Sequence, residues 1–78
     1  MAEVSGSTLV VAIQAVQLAI KYTEKMLEAE VLGDREDLEE YLLTLRKGQE
    51  RLRYAYMDEK KRDPSLPEYD ALLKIRLL

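Results

Sequence analysis

Residues 8–32 read TLVVAIQAVQLAIKYTEKMLEAEVL. Advancing about 100° per residue, the α-helical period, sorts this stretch into three strips. Leu9, Ile13, Val16, Ile20, Leu27 and Val31 fall on one line. Ala12, Ala15, Ala19, Tyr22, Met26 and Ala29 fall on a second line beside it. Gln14, Gln17, Lys21, Glu24, Lys25 and Glu28 form a narrow polar wedge. A helix wetted on one side needs an apolar arc of a little over ~100°, and this stretch has roughly twice that. One long helix over 8–32, buried from two sides, is therefore expected. Ser5, Ser7 or Thr8 can cap it, because a hydroxyl accepts from the free N–H groups of a first turn, and Thr8 or Ser7 is the expected N-cap since the apolar pattern starts at Leu9. Gly33 is the expected stop, since glycine takes the left-handed conformation that closes a helix.

Asp34 can cap a second helix, and Glu36 and Asp37 supply the first-turn carboxylates that a helix dipole favours. A connection as short as Leu32-Gly33-Asp34 makes the two helices antiparallel neighbours. The second helix is expected over 35–62. Leu38, Tyr41, Leu45, Gly48, Leu52 and Ala55 repeat with heptad spacing along it. Paired antiparallel, this line meets the alanine-rich line of the first helix. Leu38 would face Ala29, Tyr41 would face Met26, Leu45 would face Tyr22 and Gly48 would face Ala19. Large would then meet small at most layers. Gly48 would allow a close backbone approach that offsets its cost of about 0.5–1 kcal/mol relative to alanine. Leu43 and Tyr54 lie on the opposite side of the same helix, as a candidate secondary contact.

Asp63-Pro64 ends the second helix, because proline disfavours helical geometry in the residue before it. Ser65 and Glu68 have capping-box spacing, which points to a third helix over about 66–77. The alternation of Leu73, Lys74, Ile75, Arg76 and Leu77 leaves a strand as the alternative for this tail. The expected fold is all-α: a single helical domain, 1–78, with an antiparallel hairpin of two long helices and a short C-terminal helix. Residues 1–7 are the lead and 63–65 the last turn.

Composition removes several chemistries. The chain has no Cys and no His among its 78 residues, so it lacks disulfides, thiolate metal ligands and the commonest general base. No catalytic residue, cofactor site, metal site or small-molecule substrate site emerges. Glu30 is the one carboxylate in the apolar arc of the first helix, and it reads as a boundary residue whose stem covers apolar surface. Glu36, Asp37, Glu39 and Glu40 lack the spacing and the turn glycine of a calcium loop. Arg51, Arg53, Tyr54, Tyr56, Lys60, Lys61 and Arg62 could in principle engage nucleic acid. Glu50, Asp58 and Glu59 dilute them, and the net charge of −3 argues against that partner. The stretch from Leu9 to Ile20 is too short to span a bilayer. Met1-Ala2-Glu3 lacks the basic start of a secretory signal, so a cytoplasmic location is expected.

Asp37-Leu38-x-x-Tyr41-Leu42-x-x-Leu45, preceded by an alanine-rich helix, resembles the second helix of the small head-completion proteins of tailed phages, the lambda W type. That resemblance implies a virion head–tail connector, and hence a virion location. The W type carries a β-hairpin between its helices, for which Leu32-Gly33-Asp34 leaves no room. The expected function is a non-enzymatic assembly subunit with a protein partner, as a homo-oligomer or in a larger assembly. Its interface would be the stripe Leu9, Ile13, Val16, Ile20, Leu27 and Val31, with Leu43, Tyr54, Leu77 and Leu78. A helical-hairpin chaperone that captures a partner helix is one alternative, and a nucleic-acid-binding or regulatory protein is another. The competing account of the stripe is intramolecular core, with Leu66, Tyr69, Leu72 and Leu73 folding back onto it.

Overall fold

The computed structural model describes residues 5–29 and 35–74. Among them the chain is all-α, with α1 over Gly6–Glu28, α2 over Arg35–Arg62 and a single turn, α3, over Tyr69–Leu72. The first two pack side by side as an antiparallel hairpin, and α3 touches both.

α1 begins earlier than the pattern of apolar residues suggests. Ser5, with extended backbone, is its N-cap, and its hydroxyl accepts from the Thr8 amide at 3.2 Å. The Thr8 hydroxyl, expected to be the cap, instead hydrogen-bonds the Ser5 hydroxyl at 2.9 Å. The earlier start puts Gly6 in the first turn, directly under Leu66. A Cβ on Gly6 would lie 3.0 Å from both Leu66 methyl groups, so only glycine fits here without displacing Leu66. α1 ends at Glu28 with Ala29 as C-cap, short of Gly33. The Arg35 guanidinium, at the start of α2, donates to the Leu27 carbonyl oxygen at 3.2 Å. A cation on the last-turn carbonyls satisfies acceptors that the helix itself leaves free. Glu30, Val31, Gly33, Asp34, Leu77 and Leu78 lie outside the described residues.

α2 carries Glu36 and Asp37 in its first turn and Lys60, Lys61 and Arg62 in its last, both favourable to the helix dipole. After it, Asp63 Oδ1 accepts from the Ser65 amide and hydroxyl, the local turn that Asp before Pro favours. The capping box expected of Ser65 therefore does not form. Glu68 is the N-cap of α3 and makes no side-chain capping bond. α3 is one turn where a helix over 66–77 was expected. Lys60 Nζ reaches the Leu66 carbonyl at 3.1 Å, and the Tyr56 hydroxyl donates to the Pro67 carbonyl. These two bonds pin 63–68 along α2 in an irregular path that no longer helix could follow.

The core is where the three segments meet. Leu9, Ile13, Tyr56 and Leu72 are buried together, with Val10, Leu52, Leu66, Tyr69 and Leu73 packed against them. Ile20 and Leu42 extend the buried seam toward the other end of the hairpin. The seam of α2 is thus Leu38, Leu42, Leu45, Gln49, Leu52 and Tyr56, which keeps Leu38, Leu45 and Leu52 of the expected line and replaces Tyr41, Gly48 and Ala55, a rotation of about 50°. Its α1 counterpart is Leu9, Ile13, Val16, Ile20 and Leu27, each buried or half-buried. The expected pairing of the alanine-rich line with α2 is overturned. Each buried aliphatic side chain contributes ~1.5–3 kcal/mol and an alanine methyl much less, so the bulky line takes the protected side.

Candidate protein-docking face

A two-helix layer has two broad sides, and this chain treats them differently. The C-terminal segment covers part of one. Leu66 lies over Gly6, Tyr69 lies near Tyr56 with ring centroids 6.4 Å apart, and the Arg53 guanidinium sits 5.9 Å from the centre of the Tyr69 ring. The rest of that side is polar. Arg46 pairs with Glu24 at 2.9 Å across the two helices, flanked by Gln14, Gln17 and Lys21. Helical phase places Ala12, Ala15, Ala19, Tyr22 and Met26 of α1 on the other side, together with Tyr41, Thr44, Gly48, Arg51 and Ala55 of α2.

No described segment lies across that second side. Tyr22 is 67% exposed and Tyr41 is 52% exposed. Between the helices the surface is built from alanines and glycine, so it is smooth and shallow. A Cβ on Gly48 would meet nothing within 4 Å. Gly48 therefore does not serve close packing of α1 on α2, as its spacing implied.

The sequence-predicted interface divides into three groups. Leu9, Ile13 and Ile20 are buried and Val16 and Leu27 half-buried within the chain's own hairpin seam, so the bulky stripe is covered by α2 and the C-terminal segment. The fold leaves no groove along it in which a partner's helix could lie. Leu43 and Tyr54 are 53% and 62% exposed on the outer side of α2, three turns apart along one line. Val31, Leu77 and Leu78 fall outside the described residues. Heptad spacing marks the alanine-rich face as the intramolecular seam, whereas the fold leaves it as a surface. The signal that distinguishes them is the run Leu38, Leu42, Leu45, Gln49, Leu52, Tyr56, a heptad line of bulkier residues interrupted by one glutamine.

Two tyrosine hydroxyls are perturbed, and both belong to the core. Burial raises the Tyr56 hydroxyl above its usual range against the opposing effect of Lys60, and burial likewise raises that of Tyr69 against Arg53. Three cations toward the end of α2 are engaged locally: Lys60 with Glu68, Arg53 with Glu50 and Arg62 with Glu59. Among the described residues no group of three or more metal-binding side chains comes together, and no helix is long and apolar enough to cross a membrane. Comparison with protein families, curated proteins and solved structures returned no match.

Proposed function

We propose that this chain is a non-enzymatic assembly subunit that works by docking protein against the open side of its helical hairpin. One observation carries the reading. A mostly apolar face is left uncovered, with exposed Tyr22 and Tyr41 flanking a floor of alanines and Gly48, and Thr44 and Arg51 along its α2 edge. Exposed tyrosines around a small-residue floor are the composition of a contact surface, because aromatic rings bury large area on ordering few torsions. The virion-connector form implied by the resemblance of residues 37–45 would need a second, different contact to close a ring. Leu43 and Tyr54 on the outer side of α2 are the exposed pair suited to it.

The test is the double variant Ala15→Glu, Tyr22→Glu. Both positions are exposed in the isolated fold, so helicity by circular dichroism stays at the parent level. Association with protein, read by size-exclusion and by co-purification from expressing cells, is expected to fall sharply. Unchanged association in a folded variant overturns the reading.

A further inference from the structure

We infer that the occupant of the open face is a second copy of this chain, laid on it antiparallel to close a four-helix bundle. The inference rests on the docking reading above and names its partner. The face is self-complementary about a single level. Three contacts set the level of the two helices: Gly6 lies beside Glu59, Gln49 bonds the Ile13 carbonyl oxygen and Glu24 pairs with Arg46, and taken together they put Gln17 level with Gly48 to within about a turn. Those residues stand at the midpoints of Gly6–Glu28 and Arg35–Arg62. On α1, Ala12 and Tyr22 are equidistant from Gln17, and so are Ala15 and Ala19. On α2, Tyr41 and Ala55 are equidistant from Gly48.

A two-fold axis crossing the face at that level lays each helix on its own copy in reverse. Tyr22 then meets the second copy's Ala12, Tyr41 meets its Ala55, and Gly48 meets Gly48. Each tyrosine finds an alanine, and the reciprocal contact is made by symmetry, as an isologous interface requires. Gly48 gains a role that the isolated hairpin does not give it. Its mid-helix cost is offset by nothing inside the chain, whereas at the axis two α2 backbones must pass one another.

Charge and area agree with this arrangement. α2 is acidic at its start, Glu36 to Glu40, and basic at its end, Lys60 to Arg62. Antiparallel overlay sets the acidic end of each α2 toward the basic end of the other. Two helices overlapping for most of their length at normal spacing present a face on the order of 600–700 Å². That is close to the ~800 Å² per partner of a standard stable interface.

Sedimentation equilibrium of the full chain tests the inference, with Gly48→Glu as the variant. Gly48 opens to free space in the isolated hairpin, so this variant keeps its helicity. The parent is expected to dimerise, and two carboxylates forced together at the axis are expected to weaken the dimer by ~100-fold or more. Because the chain has no native Cys, oxidised Gly48→Cys is expected to give a disulfide-linked dimer faster than Tyr54→Cys, on the outer side of α2. A parent that is monomeric at the highest soluble concentration overturns the self-pairing. So does a dimer indifferent to Gly48→Glu, or cross-linking no faster at Gly48 than at Tyr54. If the parent is monomeric yet Ala15→Glu, Tyr22→Glu still loses another protein, docking stands and only the identity of the occupant falls.

Discussion

The seam departs from a simple apolar stripe at Thr23, whose hydroxyl donates to the Ala19 carbonyl oxygen at 2.7 Å, and, at greater cost, at Gln49. Its Nε2 donates to the Ile13 carbonyl oxygen at 3.0 Å, while its Oε1 is buried with no partner. An orphaned buried acceptor costs about 1–3 kcal/mol. One polar side chain in a seam also fixes how two helices slide, since other registers leave the whole amide unpaired. Gln49→Met keeps the length and removes the orphan. It is expected to raise the urea midpoint, by roughly 1 kcal/mol of stability at unchanged m-value. Tyr56 presents the opposite case, buried with its hydroxyl bonded to the Pro67 carbonyl. Tyr56→Phe is expected to cost about 0.5–1.5 kcal/mol at neutral pH. Burial raises the native hydroxyl's pKa, so on alkalinisation the unfolded tyrosine ionises first. Stability from this group is therefore intact below the ordinary tyrosine value of 10.0 and declines as pH climbs through the raised native value. Tyr69 is displaced the same way and adds to the loss. Melting scans across that range are expected to show a shallower alkaline decline for Tyr56→Phe than for the parent.

At the scale of elements, the hairpin was legible and its rotation was not. Helical periodicity, an acidic first turn at Glu36 and Asp37 and the stop at Asp63-Pro64 mark two long helices to within a few residues. The side of each helix that turns inward depends on a competition that spacing alone does not resolve. α1 has two adjacent apolar lines, and each has heptad-compatible spacing. Pairing alanines with Tyr41 and Leu45 satisfies shape, but burying Leu9, Ile13 and Ile20 removes more apolar surface from water. Gln49 concealed the winning line on α2, because a glutamine at its centre reads as a surface residue. The same competition decides the docking face, since the alanine-rich line of α1 stays open with Tyr41, Gly48 and Ala55 of α2 while Leu38, Leu45 and Leu52 remain in the seam. The third segment departs for a local reason: Lys60 and Tyr56 hold the carbonyls of Leu66 and Pro67, leaving one helical turn beyond them. Leu72 on that turn is nonetheless buried against α1 and α2. Leu72→Ala is expected to cost about 2–4 kcal/mol, near the low end of the measured range if the turn relaxes inward. Thermal melting followed by circular dichroism checks it. A shift of under a degree would mean the C-terminal segment does not contribute to the core.

The whole molecule is thin for its length. Its radius of gyration is 14.4 Å and its extents are 46 × 30 × 15 Å, against about 11–12 Å for the radius of a compact chain this size. The short dimension holds one helical layer and the C-terminal turn, so the core is close to a single row of side chains. A row that small supplies no more than ~3–5 kcal/mol of net stability. That figure makes the two sides of α1 separable by charge. An aspartate at Ile13 would be wholly enclosed by α2 and the C-terminal segment, with no cation of the seam beside it. Burying an unpaired carboxylate costs several kcal/mol even after relaxation, which equals or exceeds everything the row provides. Ile13→Asp is therefore expected to abolish helicity at neutral pH and to regain part of it in acid, where the carboxyl is neutral. Ala15→Asp, two residues along and exposed, adds a solvated charge on a helix and changes stability by about 0.5 kcal/mol. It keeps the hairpin and removes only what lies across the open face. Circular dichroism read beside sedimentation separates them: Ile13→Asp loses both signals together, and Ala15→Asp loses association alone. The reverse outcome, a folded Ile13→Asp and an unfolded Ala15→Asp, would show that the alanine-rich line is the true seam.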